Sequence, residues 1–396
     1  MALRAFQLLL AAALCGLAGC VQPNAGNPPP RLGVLSGAGA SGSPRVAILL
    51  PMSGPAAPLA QDLLKAAQLA LANSGLQLDV RDTHNTPEGA AEAAAASVDS
   101  HDLLILGPLT SPETAAAADA AHGIPMLAFT SDPQQARPGV WTLGITPEQQ
   151  VGRLVQALQA EGKNRIAAVL PDNPFGGALA DGLTRATAAR SEPAPLIKRY
   201  VTGQFARLDT ALREIAGQPA RSAAPAAPAP DGAPAAAPDD ATRPPLPFDA
   251  LLLAESGANL RNAATVLPVY GLTLPAVRII GPATWARDQA NLATVTGAWY
   301  AAPDPAARVP FERAYTLKYA APPASLADIA YDAASLARLA ATHPATLTQP
   351  QGFAGADGAF VLLPDGHVRR GLAVFEVGPD GARIVSPAPV TFDARS

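Results

Sequence analysis

Cysteine is nearly absent from this sequence, since its 396 residues include only Cys15 and Cys20. Both lie close to the start of the chain, so we expect no disulfide framework and no cysteine-ligated metal site in the remainder. Aromatic residues make up 5% and charged residues 15% of the chain, whereas 49% of the residues are hydrophobic. Much of that hydrophobic content is alanine, which favours small helices packed against a sheet.

Several motifs that carry chemistry are also missing. No G-x-S-x-G sequence between a strand and a helix supplies a nucleophile, and no phosphate-binding loop is present. The balance of 28 basic and 32 acidic residues does not favour nucleic acid as a partner. We therefore expect neither an enzyme nor a bound cofactor. The five histidines are scattered without the spacing of metal ligands on a helix: His84, His101, His122, His343 and His367.

The beginning of the chain indicates export. The apolar run at residues 5–14 is shorter than the roughly 20 residues that a membrane-spanning helix needs, and it is typical of a signal peptide. The sequence LAGC at residues 17–20 follows this run and resembles the processing box of bacterial lipoproteins. By that resemblance, residues 1–19 are a signal peptide and Cys20 carries lipid. Residues 20–44, rich in Pro, Gly, Ser and Ala, then form a disordered tether.

Strand and helix signals alternate from residue 45 onward. Continuous apolar runs such as Val46–Leu50, Leu103–Leu106 and Ile124–Phe129 are typical of parallel strands that are buried on both faces. Helices are predicted where a hydroxyl residue, proline and glutamate follow one another, as at Thr86–Glu88 and at Ser111–Glu113, with Ser111 as the N-cap. The alternation predicts an α/β fold with doubly wound parallel sheets.

The chain is longer than a single hydrophobic core usually serves, so two lobes joined by three crossovers are expected. Residues 45–143 and 302–350 are assigned to the first lobe, and residues 144–301 and 351–396 to the second. Residues 219–247 contain 9 Pro and 11 Ala in 29 residues, and we predict a disordered insertion because this segment buries too little apolar surface. The crossovers are predicted near residues 141–145, 297–303 and 349–355.

Hydroxyl side chains follow two neighbouring strands of the predicted first sheet. Ser111 comes after the strand at residues 103–106, and Thr130 and Ser131 come directly after the strand at residues 124–129. Because ligands of open parallel sheets bind outside the carboxyl ends of the strands, these hydroxyls predict a binding site. The alternative is that they only cap helices or close turns.

Five strings of residues in order resemble the type I periplasmic-binding fold of leucine-binding-type proteins. The strings are VAILLPMSGP, LLILGPLTS, PMLAFTSDP, TLGITPEQQ and AAVLPDNPFG. Together they resemble most closely the lipoproteins called penicillin-binding protein activators. The resemblance covers roughly residues 45–377, apart from the Pro/Ala insertion, and implies two lobes with a cleft between them.

The same resemblance implies roles for individual residues. In leucine-binding-type receptors, hydroxyls and amides after the third and fourth strands hold the amino-acid backbone, and these positions correspond to Ser111, Thr130 and Ser131. The aromatic residue after the first strand of the second lobe corresponds to Phe175, and an acid after a later strand falls at Glu255. Such a set suits a zwitterion, because it offers donors for a carboxylate and an acceptor for an ammonium group.

Two further residues belong to the predicted cleft. Ser53 follows the first strand in the string PMSG, and Tyr331 lies in a late helix. The alternative for Tyr331 is packing beside the hinge, and for Phe175 it is core packing. The loop PDNPFGG departs from the receptor pattern because it contains no tyrosine.

Two functions from different classes fit this resemblance. One is an interaction protein, tethered to a membrane, that regulates peptidoglycan synthesis by contacting a class A penicillin-binding protein. The other is a solute-binding receptor that delivers an amino acid or amide to an ABC permease. The predicted lipid anchor favours the first. Val21 follows Cys20 where inner-membrane lipoproteins of enteric bacteria carry aspartate, so we expect an outer-membrane lipoprotein facing the periplasm.

Overall fold

The computed structural model describes residues 43–218, 245–342 and 347–392. The predicted signal peptide, Cys20 and nearly all of the predicted tether and insertion lie outside these ranges. Within the ranges, no helix combines the length and apolar character that a membrane crossing requires. The predicted α/β fold with two lobes is confirmed.

The first lobe is built on five parallel strands with helices on both faces. The strands are β1 (Arg45–Leu50), β2 (Gln77–Asp82), β3 (Ile105–Leu106), β4 (Met126–Ala128) and β5 (Val140–Thr142). They lie in the order β2-β1-β3-β4-β5, and α1 (Ala57–Ala70), α2 (Pro87–Asp99) and α3 (Ser111–Ala120) connect the first four. Alternate residues of β1 are buried in two separate clusters, one on each face of the sheet, as its continuous apolar sequence predicts.

The helices of this lobe begin at hydroxyl N-caps. The side chain of Thr86 accepts a hydrogen bond from Gly89 N at the start of α2, in agreement with the sequence prediction. The predicted N-cap Ser111 is wrong, because Thr110 caps α3 and Ser111 is the first helical residue. Thr110 has extended backbone angles, which leave its side chain free to turn back onto the first helical turn.

The second lobe repeats the alternation of strand and helix. Its last parallel strand follows a short 3₁₀ turn at Ala293–Val295 and pairs with the strand that precedes it in the chain. The elements are α4 (Pro147–Ala160), β6 (Ile166–Pro171), α5 (Pro174–Ala189), β7 (Leu196–Tyr200), α6 (Phe205–Ile215), β8 (Ala250–Leu253), α7 (Gly257–Val266), β9 (Arg278–Gly281), α8 (Gln289–Leu292) and β10 (Trp299–Ala302).

The chain then returns to the first lobe for longer than predicted. It forms α9 (Pro305–Tyr319), α10 (Ala327–Thr342) and a small antiparallel sheet of β11 (Phe353–Gly355), β12 (Gly358–Leu362) and β13 (Val368–Arg370). Phe360, Leu362 and Val368 are buried in the same cluster as β1, α1 and α10. The predicted boundary at residue 351 and the predicted crossover at 349–355 are therefore wrong, because the apolar face of this sheet packs on the first lobe.

The last two strands extend the second sheet. β14 (Ala373–Gly378) pairs antiparallel with β10, and β15 (Gly381–Ser386) pairs antiparallel with β14. The order across this sheet is β15-β14-β10-β9-β8-β6-β7. The lobes are thus joined between β5 and α4, between β10 and α9, and between β13 and β14. The first crossover overlaps the predicted residues 141–145, whereas the second lies between residues 302 and 305, at the end of the predicted range 297–303.

Candidate functional site

Two of the hydroxyls predicted in the first lobe, those of Ser111 and Thr130, lie together at the carboxyl ends of β3 and β4. Ser111 Oγ and Thr130 Oγ1 are 2.9 Å apart and share a hydrogen bond. Thr130 is buried, and its Oγ1 also accepts a hydrogen bond from Asp132 N at 3.1 Å. The structure therefore brings together the loops after β3 and β4, but these two hydroxyls already have partners within the protein.

A buried carboxylate stands at the positive end of α3. Glu113 is 1% exposed, and its Oε2 accepts hydrogen bonds from Thr110 Oγ1 at 2.6 Å and from Thr110 N at 3.1 Å. Its Oε1 accepts from Thr83 Oγ1 at 2.5 Å. The sequence predicted Glu113 as a charge in the first helical turn, but it gave no sign of the bond to Thr83. This carboxylate already lies where the amide dipoles of α3 favour negative charge. A bound anion would therefore be stabilised less at this position.

Ser53 lies in a different cluster at the ends of β1 and β2. Its Oγ is 3.2 Å from His84 Nδ1, and Asp82 Oδ2 is 3.1 Å from the same ring nitrogen. In a catalytic relay of serine, histidine and acid, the serine contacts one ring nitrogen of the histidine and the acid contacts the other. Here both contact Nδ1, so this arrangement is not such a relay. Burial raises the pKa of Asp82, but hydrogen bonds from His84 N, Ser53 Oγ and Met52 N outweigh it and lower that pKa overall. Sequence reasoning missed His84 and Asp82.

In the second lobe, Glu255 follows β8 at the carboxyl edge of the sheet. Its side chain is buried, and this burial raises the pKa of the carboxyl, with a hydrogen bond to Asn259 acting in the opposite direction. The backbone oxygen of Glu255 accepts a 2.6 Å hydrogen bond from Trp285 Nε1. Trp285 is itself fully buried against Gly281 at the end of β9. The indole therefore fills the sheet edge next to Glu255.

The two predicted aromatic residues lie in helices, one in each lobe. Phe175 was predicted in a loop, but it lies in the first turn of α5, because Asn173 caps that helix and Pro174 starts it. Its side chain is 37% exposed, so it is not core packing. Tyr331 lies in α10 with its ring centroid 4.9 Å from that of Phe311 in α9, which makes it part of the helix packing of the first lobe.

The first crossover packs directly against the hydroxyl loop. Gly144 N donates to Thr130 O at 3.0 Å. A side chain at Gly144 would place its Cβ 2.7 Å from Ser131 N, closer than real Cβ contacts come. The loop at Thr130 and Ser131 is therefore in direct contact with the segment that joins the lobes.

Within the described ranges no group of acidic, histidine or cysteine side chains has the arrangement of a metal site. A cavity of about 210 Å³ lies at the opposite end of the second sheet, between Leu267, Leu274 and Val295. It is separate from all the predicted cleft residues. The polar groups found at the carboxyl ends of the strands are thus hydroxyls with His84, Asp82 and Glu113 in the first lobe, and Glu255 in the second.

A family model described as periplasmic binding protein matches residues 43–382 of the chain. No sequence among the curated proteins matches it significantly. The match extends from the first strand into β15, and therefore includes both lobes.

Solved structures with the same fold include receptors and a regulator. A putative branched-chain amino acid ABC transporter protein from Rhodospirillum rubrum is 19% identical, with a TM-score of 0.66, over 87% of this chain and 100% of that chain. The C-domain of LpoA from Haemophilus influenzae, a regulator of PBP1A, is 15% identical, with a TM-score of 0.62, over 86% and 99%. A leucine-binding protein, LivK, from Thermotoga maritima is 17% identical, with a TM-score of 0.56, over 88% and 99%. At these identities the similarity concerns the fold alone.

Proposed function

The chain belongs to the periplasmic binding protein family, and within this family we propose that it is an activator lipoprotein of the cell envelope. In this proposal the lipidated Cys20 anchors it in the outer membrane. The folded lobes then regulate peptidoglycan synthesis by contacting a class A penicillin-binding protein. The fold shared with LpoA, a regulator of PBP1A, supports this assignment.

The observation that carries the proposal is the internal hydrogen bonding of the first-lobe hydroxyls. Ser111 and Thr130 bond to each other, and Thr110 is engaged by the buried Glu113. A ligand carboxylate at α3 would have to displace these bonds and would approach a carboxylate that is already in place. A receptor gains affinity from donors that are free before the ligand arrives. An activator that works through an outer surface needs no such donors.

A second candidate function is a solute-binding receptor for an amino acid or amide, working with an ABC permease. The observation that favours it is Glu255, a buried carboxyl at the junction-facing end of the second sheet, which suits a ligand ammonium group. The fold shared with LivK supports the same candidate. In this alternative the cleft residues are those predicted from the sequence: Ser53, Ser111, Thr130, Ser131, Phe175, Glu255 and Tyr331.

Two measurements on the same preparation separate these functions. We expect the lipidated chain to increase the rate of glycan polymerisation by a class A penicillin-binding protein, and Ser111→Ala with Thr130→Ala to leave that increase nearly unchanged. Calorimetry against a panel of amino acids should show no binding. If the chain is a receptor, each lost charge-assisted hydrogen bond should cost about 1.5–3 kcal/mol, roughly 10- to 150-fold in affinity. Micromolar binding of an amino acid that these substitutions abolish would overturn the activator proposal.

The membrane anchor is tested separately. Cys20→Ala should release the chain from the membrane fraction or leave it unprocessed, because the acylated thiol is lost. A membrane fraction that stays unchanged and carries no lipid label would contradict the proposed anchor.

A further inference from the structure

One buried side chain ties two of the three crossovers together. Arg370 is the last residue of β13, just before the chain enters the second lobe, and its side chain is 2% exposed. Its Nε donates to Leu143 O at 2.8 Å, and Leu143 lies just after β5, where the chain first leaves the first lobe. The guanidinium therefore holds the outgoing and returning segments side by side.

Two carboxylates from the first lobe hold this guanidinium. Arg370 Nη1 lies 2.5 Å from Asp357 Oδ1 and 3.3 Å from Asp332 Oδ2. Asp357 is in the turn between β11 and β12, and Asp332 comes from α10. Asp332 Oδ1 also accepts a hydrogen bond from Ala356 N at 2.6 Å. Both carboxylates are buried, so water screens these contacts little.

A second ion pair extends the group to the remaining crossover. Asp328 lies one helical turn before Asp332, and its Oδ2 is 2.9 Å from Arg308 Nη1. Arg308 is near the start of α9, directly after the crossover from β10. Arg308 Nε also reaches the half-exposed Glu312 at 2.9 Å, on the rim of the group. We name Arg308, Asp328, Asp332, Asp357 and Arg370 the junction cluster.

The charges of the junction cluster do not balance. It holds three carboxyls and two guanidiniums, and the first crossover contributes only a backbone carbonyl. Asp328 Oδ1 and Arg370 Nη2 are buried without a hydrogen-bond partner. A buried charge without compensation is strongly unfavourable, and such a group relieves it by taking up a proton. Burial raises the pKa of Asp332 to about 7, and burial also raises the pKa of Asp328.

We propose that the junction cluster is a proton-linked latch on the first-lobe side of the crossovers, which holds the crossovers together while it carries one proton and loosens them when that proton leaves. With one proton on Asp332, the remaining charges pair one to one, Arg370 with Asp357 and Arg308 with Asp328. Without it, one negative charge is left over in the interior, and water reaches that charge only if the crossovers move apart. The latch does not depend on which partner or ligand the chain binds.

Small-angle X-ray scattering of the full chain from pH 5 to pH 9 tests the latch. We expect the radius of gyration to rise between about pH 6 and pH 8, with the breadth of a single-proton titration. Asp332→Asn carries a neutral amide in place of the carboxyl, so its radius of gyration should stay at the low-pH value throughout. Glu214→Gln, in an exposed ion pair with Lys198, is the matched control and should follow the unsubstituted chain.

Carbon NMR of the aspartate carboxyls in the unsubstituted chain gives a readout that does not require a variant to fold. The carboxyl of Asp332 should titrate between pH 6 and pH 8. The proposal is overturned if this carboxyl titrates below pH 5, if the radius of gyration is constant across the range, or if Asp332→Asn shows the same pH dependence as the unsubstituted chain.

Discussion

In the first lobe the buried acid at the end of the sheet accepts hydrogen bonds from two threonines, whereas in the second lobe the acid at the corresponding edge is buried beside the amide side chain of Asn259. Glu113 receives three hydrogen bonds from Thr83 and Thr110, while the carboxyl of Glu255 has Asn259. The acid of the first lobe is thus held by several hydrogen bonds that compensate for its burial, whereas burial is the main influence on the acid of the second lobe and raises its pKa.

The largest expected effect comes from the junction cluster, which belongs to the first lobe. Arg370→Met leaves Asp332 and Asp357 buried without their cation, and we expect the free energy of unfolding to fall by about 3–5 kcal/mol. The matched change in the second lobe is Arg185→Met, which breaks an exposed pair with Glu148 and should cost at most about 1 kcal/mol. Urea unfolding measures both. Equal losses would show that the cluster adds nothing beyond a surface ion pair.

The contrast between the two acids predicts opposite results for the same substitution. Glu113→Gln removes a charge that accepts three hydrogen bonds, and it should lower the free energy of unfolding by about 1.5–3 kcal/mol. Glu255→Gln removes a charge whose burial is unfavourable, so stability at neutral pH should stay the same or rise. A larger loss at Glu255 than at Glu113 would reverse the comparison between the lobes.

Two glycines test how tightly the first crossover is packed. Gly144→Ala drives a Cβ against the backbone of Thr130 and Ser131, and we expect a loss of about 1–3 kcal/mol. Gly152→Ala, inside α4 of the second lobe, meets nothing within 4 Å and should gain about 0.5–1 kcal/mol. Thermal unfolding of both variants measures the difference. A stable Gly144→Ala chain would mean that the crossover is free to shift.

The smallest effect is a pH dependence at Glu255. Burial raises the pKa of this carboxyl, so the folded chain keeps its proton to higher pH than the unfolded chain does. Its contribution to stability is therefore present below the ordinary glutamate pKa and is lost as the pH rises through the raised value. Glu255→Gln should lack this decline when urea midpoints are compared between pH 4 and pH 8. Parallel curves for the two chains would contradict the assignment.

Much of the fold could be predicted from short stretches of residues. The apolar runs predicted the strands, and the Thr-Pro-Glu string at Thr86 predicted a helix start that the structure confirms. The predicted cap of α3 differs from the observed one by one residue, because both Thr110 and Ser111 carry a hydroxyl. Their backbone angles, which depend on where the loop after β3 ends, make Thr110 the cap. Phe175 lies in a helix and not in the predicted loop, because the side chain of Asn173 caps a helix that begins at Pro174.

The sequence by itself determined which segments are strands and helices, because burial on both faces and helix capping act between residues that are close in the chain. Tertiary structure alone decided how the polar groups are paired. Ser111 and Thr130 are 19 residues apart, and Arg370 and Leu143 are 227 residues apart. Whether a hydroxyl is free for a ligand or a charge is balanced depends on which distant atoms lie within hydrogen-bonding distance, and only the packing of the two lobes fixes those distances.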